Sequence, residues 1–412
     1  MTKKSDAPAI RFKGFSDAWE QRKLGELVDR VVRKNTNNES TLPLTISAQY
    51  GLVDQITYFN NRVASRDVSN YYLVLNGEFA YNKSTSDGYP FGAVKRLDLY
   101  EKGVLSTLYI VFAPKKEQQI DSDYLTVFFD TDRWHKGVAE RAAEGARNHG
   151  LLNISAEDFF DIDLSVPKDI VEQKQIGAFI RQLDNLITLH QRKFEKLTNV
   201  KKSMLEKMFP QNGSSYPEIR FKGFTDPWEQ REVGDLLIER SQQAPMSDEY
   251  PLMAFIANEG VAPKGERYDR SALVTDTVNK LYKKTEKGDF IYSSNNLETG
   301  SIGLNKYGKA CISPVYSIFE PTGIADSDFL GRRLVRKDFI NAMVKWRQGV
   351  IYGQWRIHES DFLKIEISVP SVEEQRKIGA YLDQLDNLIT LHQRELEKLQ
   401  NIKKSMLEKM FV

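Results

Sequence analysis

Polar, aromatic and basic side chains cluster at matching places in the two halves of this 412-residue chain. In each half one cluster follows a predicted strand and a second precedes another predicted strand. The first half contributes Tyr81, Asn82, Lys83, Ser84, Thr85 and Ser86, then Arg147, Asn148 and His149; the second contributes Tyr292, Ser293, Ser294, Asn295 and Asn296, then Tyr352, Gln354 and Arg356, with Lys306 from a basic stretch at 300–350. Such side chains bind base edges and phosphates. These loops are therefore candidate DNA contacts, although merely solvated loops would share their composition.

Patterns of known catalytic sites are missing from the sequence. There is no P-loop, no glycine-rich dinucleotide fingerprint, no histidine cluster with metal-ligand spacing and no Gly-x-Ser-x-Gly. There is also no tetrapeptide like the Asn-Pro-Pro-Tyr with which adenine methyltransferases hold a flipped base. We therefore expect no catalytic residue, no metal site and no cofactor bound by this chain.

Composition and charge restrict the class of protein further. The chain has 58 Lys and Arg against 57 Asp and Glu, which argues mildly against a nucleic-acid partner, although local basic stretches occur at 190–209 and 300–350. A single cysteine, Cys311, excludes an internal disulfide. No apolar run reaches the ~20 residues that a membrane span needs. The composition predicts a multi-domain cytoplasmic protein without a membrane segment.

The sequence contains an internal duplication. Residues 10–27 and 219–236 agree at 13 of 18 positions, and residues 182–209 and 384–411 agree at 24 of 28. Between these blocks the two copies diverge, although isolated landmarks such as Gly77 and Gly288 survive. A period of about 200 residues is a duplicated domain rather than a solenoid repeat. The near-identical parts should do the same job twice, and the divergent parts different versions of one job.

A long helix is predicted after each domain. Asp169 and Glu172 have the spacing of a capping box, as do Ser371 and Glu374. Apolar residues then follow a 4-3 spacing, which predicts a coiled-coil seam. The seam positions are Ile176, Ile180, Leu183, Ile187, His190, Phe194, Leu197 and Met204 in the first helix, and Ile378, Leu382, Leu385, Ile389, His392, Leu396, Leu399 and Met406 in the second.

Three further features predict how these helices pair and what else they contact. His190 and Lys201 interrupt the seam and should set its register rather than do chemistry. Leu186 and Leu189 widen the apolar stripe, which suggests a second partner for the helix. The linker between Pro210 and Pro217 is short and leads straight into the second domain, which favours antiparallel pairing of the two helices.

The fold class predicted from these patterns is α+β. Strands are expected at 45–47, 71–75, 105–112, 289–292 and 312–319, and amphipathic helices near 123–143 and 326–348. The domain boundaries follow: a first domain at 1–165, a central helix at 166–210, a second domain at 211–368 and a C-terminal helix at 369–412. The expected architecture is two similar globular domains joined by an antiparallel, pseudo-twofold symmetric coiled coil.

This layout closely resembles the specificity subunit of type I restriction-modification enzymes over essentially the whole chain. The motifs that carry the resemblance are the duplicated Arg-Phe-Lys-Gly-Phe…Trp-Glu-Gln opening, then Val166-Pro167, Glu172-Gln173, Ile176-Gly177 and Leu183-Asp184-Asn185-Leu186-Ile187, repeated as Val369-Pro370, Glu374-Gln375, Ile378-Gly379 and Leu385-Asp386-Asn387-Leu388-Ile389. Each short motif is unspecific, but their combination is specific.

The resemblance implies two target-recognition domains, each reading one half of a split double-stranded DNA site through the major groove. It implies that the helices set the spacer and dock two modification subunits, which use S-adenosylmethionine to methylate adenine at N6. Restriction subunits, when present, would bring ATP- and Mg-dependent translocation and cleavage. The chain itself would be non-catalytic.

Two rival interpretations stay open from the sequence. A tandem carbohydrate- or peptide-binding module on a coiled-coil stalk would also explain duplication with divergence. A stand-alone enzyme with an unrecognised site is the other. Trp19 and Trp228 could contact a partner or pack each domain against the helices, and we favour packing.

Overall fold

The computed structural model describes residues 7–47, 50–86, 88–117, 119–142, 152–211, 213–263, 280–295, 297–351 and 354–412. The chain forms two compact units. Unit 1 contains Met1–Arg192 together with Gln393–Val412, and unit 2 contains Lys193–His392. Each unit therefore combines one globular domain with segments of both long helices.

The first repeat consists of short strands and helices followed by one long helix. In chain order these are β1 (Glu20–Lys23), α1 (Leu24–Leu27), β2 (Val28–Arg30), β3 (Leu44–Ser47), β4 (Gly51–Asp54), α2 (Gln55–Phe59), β5 (Tyr72–Leu75), β6 (Phe79–Asn82), β7 (Ala93–Arg96), β8 (Lys102–Leu105), β9 (Ile110–Pro114), α3 (Ser122–Phe128), α4 (His135–Arg141), α5 (Ala156–Phe160), β10 (Asp163–Val166) and α6 (Ile170–Lys207).

The second repeat follows the same plan. Its elements are β11 (Glu229–Glu232), α7 (Val233–Leu236), β12 (Leu237–Glu239), β13 (Gln243–Ala244), β14 (Ala254–Ile256), β15 (Gly260–Ala262), β16 (Tyr282–Thr285), β17 (Phe290–Tyr292), β18 (Ile302–Leu304), β19 (Ala310–Ile312), β20 (Ser317–Pro321), α8 (Ser327–Arg333), α9 (Lys337–Val344), β21 (Gln348–Ile351), β22 (Gln354–Arg356), α10 (Glu359–Leu363), β23 (Glu366–Val369) and α11 (Val372–Lys409).

An antiparallel four-stranded sheet is common to both domains. Its strand order is β2-β9-β6-β7 in unit 1 and β12-β20-β17-β18 in unit 2. The registers match as well, because Phe79 lies opposite Phe112 and Phe290 lies opposite Phe319. A separate two-stranded pair, β1-β10 or β11-β23, joins the start of each domain to the strand that precedes its long helix. The α+β class is confirmed.

Two details of the predicted elements are wrong. The helix predicted near 123–143 is two helices, α3 and α4, and the helix near 326–348 is likewise α8 and α9. In unit 1 the hydroxyl of Thr131 donates to the Phe128 carbonyl at 2.6 Å, and the Trp134 indole donates to the Phe129 carbonyl at 3.2 Å. Side chains thus satisfy carbonyls at the end of α3 and stop the helix. The strands predicted at 105–112 and 312–319 are also each divided, by turns after Leu105 and Ile312.

The long helices α6 and α11 each contain 38 residues, about 57 Å at 1.5 Å per residue. Asp169 caps α6 by accepting a hydrogen bond from the Val171 amide at 2.7 Å. Glu172 was predicted as the other half of a capping box, but it is fully buried and makes two hydrogen bonds of 2.6 and 2.8 Å with the Arg11 guanidinium. Glu374 binds Arg220 in the same way, at 2.8 and 2.7 Å. The repeated opening segment is therefore clamped to the start of each helix.

Each domain core includes the end of a long helix from the other repeat. In unit 1 the Trp19 ring meets Phe411 edge-on, with ring centres 6.1 Å apart, and Tyr124 stacks on the same phenylalanine at 5.6 Å. In unit 2 Phe209 meets Trp228 edge-on at 6.0 Å. Both tryptophans are buried against residues at the helix ends, as expected if they pack each domain against the helices. The Met-Phe pair that ends each repeated block, Met208-Phe209 or Met410-Phe411, is thus part of a domain core.

The two long helices pair antiparallel. In unit 1 the ammonium of Lys403, late in α11, lies 2.7 Å from Asp184, early in α6. In unit 2 the ammonium of Lys201, late in α6, lies 2.5 Å from Asp386, early in α11. Burial disfavours the charged form of Lys403, but Asp130 and Asp184 outweigh it, so the pKa of this lysine is raised. The lysines that interrupt the predicted seam are therefore matched by aspartates of the facing helix.

Candidate nucleic-acid interface

The loop after β6 in unit 1 is anchored by Tyr81. This side chain has no exposed surface, its ring stacks on Phe159 at 4.4 Å, and its hydroxyl donates to the Phe91 carbonyl at 2.9 Å. Burial also raises the pKa of the Tyr81 hydroxyl. The prediction that Tyr81 contacts DNA therefore does not fit the structure, because the ring and the hydroxyl are both used inside the domain.

The polar residues after Tyr81 form the surface of this loop. Asn82 and Lys83 are half-buried, and the Asn82 side-chain oxygen accepts from the Ser84 amide at 3.0 Å. Ser84 and Ser86 are exposed, and Thr85 is half-buried. The loop closes at Gly92, where φ is +75° and a Cβ would lie 2.1 Å from the Asn82 carbonyl oxygen. Only glycine fits there, and the hydroxyl groups at 84–86 are held at the surface.

The segment at 152–154, which follows the second predicted loop of unit 1 in sequence, is hydrogen-bonded to the loop after β6. The Leu152 amide donates to the Lys83 carbonyl at 3.0 Å, and the Lys83 ammonium donates to the Ile154 carbonyl at 3.4 Å. Arg147, Asn148 and His149 lie outside the described residues. The segment that follows them is nevertheless bound directly to the loop after β6.

In unit 2 the residue that follows β22, Ile357, is hydrogen-bonded to the loop after β17. The Tyr292 hydroxyl donates to the Ile357 carbonyl at 3.3 Å, and the Ser294 hydroxyl accepts from the Ile357 amide at 3.0 Å. Ile357 and Ile154 occupy matching places in the repeats. The segment that ends at Ile357 is therefore held by the loop after β17.

Several of the predicted contacts in unit 2 need correction. Tyr292 is buried, stacks on Phe319 with ring centres 5.8 Å apart, and so supports the core rather than facing DNA. Ser293 is also buried, which leaves Ser294 and Asn295 as the half-buried polar residues of this loop. Arg356 is exposed at the end of β22.

The remaining predicted residues of unit 2 are Gln354, Asn296, Tyr352 and Lys306. Gln354 begins β22, while Asn296 and Tyr352 lie outside the described residues. Lys306 forms ion pairs, because its ammonium lies 2.7 Å from Asp383 and 3.5 Å from Asp328. The carboxylates of α11 and α8 thus partly neutralise this lysine, and its contact with DNA stays a prediction.

The predicted seam positions are the less exposed side of both helices. The first three in each helix, Ile176, Ile180 and Leu183 or Ile378, Leu382 and Leu385, are buried, and those that follow are half-buried: Ile187, His190, Phe194, Leu197 and Met204, and Ile389, His392, Leu396, Leu399 and Met406. Leu186 and Leu189 have exposed fractions of 44% and 47%, and their counterparts Leu388 and Leu391 have 42% and 52%. Large apolar side chains thus lie open at the same two positions of each repeat.

Within the described ranges no cluster of three or more His, Cys, Asp or Glu side chains is arranged to hold a metal ion. None of the helices in the described part of the chain combines the length and apolar character of a bilayer-spanning segment.

The sequence matches the model of the type I restriction modification DNA specificity domain twice, over residues 17–199 and 225–401. The two matches together span most of the chain and coincide with the two repeats. The chain belongs to this family of type I restriction-modification specificity subunits.

Relatives in this family match almost end to end. The sequence assigned to the type I restriction enzyme MjaX specificity subunit of Methanocaldococcus jannaschii is 23% identical, over 94% of this chain and 92% of that protein. The type I restriction enzyme MjaVIII specificity subunit of the same organism is 25% identical, over 85% of this chain and 82% of that protein.

The fold is also that of a solved specificity subunit. The crystal structure of the type I restriction-modification system S subunit from M. genitalium aligns with a TM-score of 0.57, covering 98% of this chain and 99% of that one. Sequence identity between the two is 14%. The features that the two repeats share have structural roles. These are the ion pairs at Glu172 and Glu374 and the buried tryptophans, whereas the polar residues that differ between the repeats lie at the surface.

The residues that sequence reasoning missed are Arg11 and Arg220. Both lie in the repeated opening and bind the buried glutamates at the helix starts. The signal was present, because an arginine and a glutamate recur together in both copies. Their separation of 161 and 154 residues along the chain concealed the pairing.

Proposed function

We propose that this specificity subunit reads a bipartite, asymmetric DNA target, one half-site with each domain. The observation that carries the proposal is the polar loop after β6 in unit 1 and after β17 in unit 2. It has the same place in both domains and is hydrogen-bonded to the segment at Ile154 or Ile357, but its side chains differ. The loop after β6 offers Ser84, Thr85 and Ser86, whereas unit 2 offers Ser294, Asn295 and Arg356.

Different side chains at equivalent places support different half-sites. Serine and threonine hydroxyl groups bind several base edges, whereas asparagine and arginine favour adenine and guanine respectively when they bind in the major groove. The loop residues outside the described ranges, Arg147, Asn148, His149, Asn296 and Tyr352, stay candidate contacts in this proposal. So do Asn82, Lys83 and Gln354.

The long helices are proposed to bind the methyltransferase subunits. Leu186 and Leu189 are open to solvent although the seam beside them is covered, and Leu388 and Leu391 repeat the arrangement. Exposed leucines at identical positions of a duplicated helix suit two copies of one protein partner, because each copy of the surface can take one. The proposed partners are therefore two modification subunits, joined by two restriction subunits in the cleavage-competent complex.

The chemistry is assigned to those partners. S-adenosylmethionine for adenine-N6 methylation, and ATP and Mg for translocation and cleavage, would be bound there and not by this chain. Base flipping would also occur in the modification subunit, which must reach the exocyclic nitrogen. The complex would act in the cytoplasm, on the DNA it protects or cleaves.

The test is to co-express the chain with a modification subunit of its system and to map methylated adenines across the host genome. The expected result is one bipartite motif with a fixed unread spacer and one methylated adenine in each half, on opposite strands. Methylation by the purified chain alone would indicate a stand-alone enzyme. Duplex binding without sequence preference, even with the modification subunit present, would support a tandem binding module for another ligand.

A further inference from the structure

The contact between each recognition domain and its own long helix has the same backbone geometry in both units. In unit 1, a Cβ on Gly177 would lie 2.8 Å from the Asp123 Cβ and from the Tyr124 amide nitrogen of α3. In unit 2, a Cβ on Gly379 would lie 3.1 Å from the Asp328 Cβ of α8. The two glycines are equivalent in the repeat, and so are the two helix starts that they touch, Ser-Asp-Tyr and Ser-Asp-Phe.

The charges across this contact are arranged one way in unit 1. Arg181 of α6 forms an ion pair with Asp123 of α3. Asp123 also lies 2.8 Å from Arg96, which in turn pairs with Asp98 at 2.7 Å. In this unit the long helix supplies the cation that meets a carboxylate of the domain.

The arrangement is reversed in unit 2. The position equivalent to Arg181 is Asp383, 202 residues later. Asp383 accepts hydrogen bonds from Lys306 and Arg332, both at 2.7 Å, and Arg332 also binds Asp386 at 2.9 Å. Asp328, the counterpart of Asp123, has a raised pKa because it is buried and because Asp383 lies beside it. Here the domain supplies two cations along with the carboxylate of Asp328, and the long helix supplies a carboxylate where α6 has Arg181.

We propose that this reversed charge pattern is a position code, which makes each recognition domain fit its own helix and not the helix of the other repeat. The first domain placed on α11 would bring Asp123 against Asp383 without Lys306 and Arg332, the two cations that in unit 2 offset Asp328 and Asp383. The second domain placed on α6 would bring Lys306 and Arg332 against Arg181, with only Asp328 to offset them. Both misplacements bring like charges together at a contact whose backbone geometry would otherwise accept either domain.

Of the ion pairs that join domain and helix in this contact, those of Arg332 with Asp383 and Asp386 in unit 2 are the most buried. The Arg332 side chain has an exposed fraction of 11% and that of Asp383 has 32%, so solvent screens this pair less than an exposed ion pair. Arg332 has no counterpart in the first domain, where the equivalent residue is the buried Val127. The cations are therefore specific to the second domain.

A chimeric chain tests the code without relying on DNA recognition. Residues 28–160 are copied into the second position in place of 237–363, and Asp383→Arg is made in both the parent and the chimera. Thermal unfolding is then measured for all four chains. The substitution should lower the unfolding midpoint of the parent by about 3 °C or more and raise that of the chimera by a similar amount.

The reversal of sign is the diagnostic result. Gln384→Arg, which adds the same charge at the exposed neighbouring position, is the matched control and should change neither midpoint by more than about 1 °C. The proposal is overturned if Asp383→Arg has the same sign in both chains or no effect in either.

A second set of variants keeps the test decisive if the chimera does not fold. In the parent chain, Arg181→Asp should lower the unfolding midpoint, because it sets a second carboxylate against Asp123. The same change in an Asp123→Asn background should cost less than half as much, because the like-charge contact is then absent. Equal losses in the two backgrounds would contradict the position code.

Discussion

At the scale of single residues, this chain separates structural roles from recognition roles. Tyr81 and Tyr292 stand first in the polar clusters, yet both are core residues whose hydroxyl groups bind backbone carbonyls. Their rings hold the start of each loop, and the smaller polar residues that follow reach the surface. In both domains, the tyrosine at the end of the strand stabilises the loop rather than lying at its surface.

The buried clamp between Glu172 and Arg11 should be a large contributor to the stability of unit 1. We expect Glu172→Gln to lower the free energy of unfolding by about 3 kcal/mol, because the mutation leaves a buried guanidinium without its carboxylate. Urea unfolding followed by tryptophan fluorescence measures the change. Glu26→Gln, which breaks an exposed pair with Arg22, should cost less than about 0.5 kcal/mol. Equal losses for the two variants would argue against the clamp.

Gly177 allows α6 to approach α3 closely. Alanine favours a helix by about 1 kcal/mol over glycine. Gly177→Ala should nevertheless destabilise unit 1 by about 1–3 kcal/mol, because the added Cβ overlaps backbone and Cβ atoms of α3. The unfolding midpoint in urea reports the sign. A more stable variant would show that α3 can move aside at little cost.

At the scale of elements, periodic and repeated patterns were the predictable part. The 4-3 spacing located the less exposed side of both long helices, and the duplicated blocks fall in the two repeats that match the family at 17–199 and 225–401. Pairings distant in sequence were not predictable, such as Arg11 with Glu172, because the sequence pattern of a helix start also fits a capping box. The break between α3 and α4 was missed too, since it depends on the Thr131 and Trp134 side chains binding local carbonyls.

The exposed leucines of the long helices give a prediction with a stoichiometric readout. Leu186→Glu with Leu189→Glu should remove one bound modification subunit of two, since charged side chains cannot enter an apolar interface without a large desolvation cost. The matching pair Leu388→Glu with Leu391→Glu should remove the other, and all four changes together should remove both. Native mass spectrometry of the complex counts the subunits.

The folded state should tolerate these four changes, because the leucines are already open to solvent. Thermal unfolding of the isolated chain is the control and should be unaltered within about 2 °C. Retention of two modification subunits by the fourfold variant would place the docking surface elsewhere.

At the scale of the whole molecule, the two domains should be modular with respect to the DNA read. Exchange of residues 28–160 for the first domain of another specificity subunit should change one half of the methylated motif and leave the other half and the spacer unchanged. Genome-wide methylation mapping gives both halves in one measurement. A change in both halves would contradict independent reading. By the position code, donors that lack cations at the places equivalent to Lys306 and Arg332 should be accepted best.

The composition of the two units determines the order in which they can be completed during synthesis. Unit 2 is one continuous stretch, Lys193–His392, whereas unit 1 combines Met1–Arg192 with Gln393–Val412. The amide of Ile10 bonds to the carbonyl of Lys409, and Phe411 lies in the core of unit 1. The domain translated first therefore keeps part of its core uncovered until residues 393–412 have been added and have emerged from the ribosome. During that interval the first domain is exposed to chaperones and proteases.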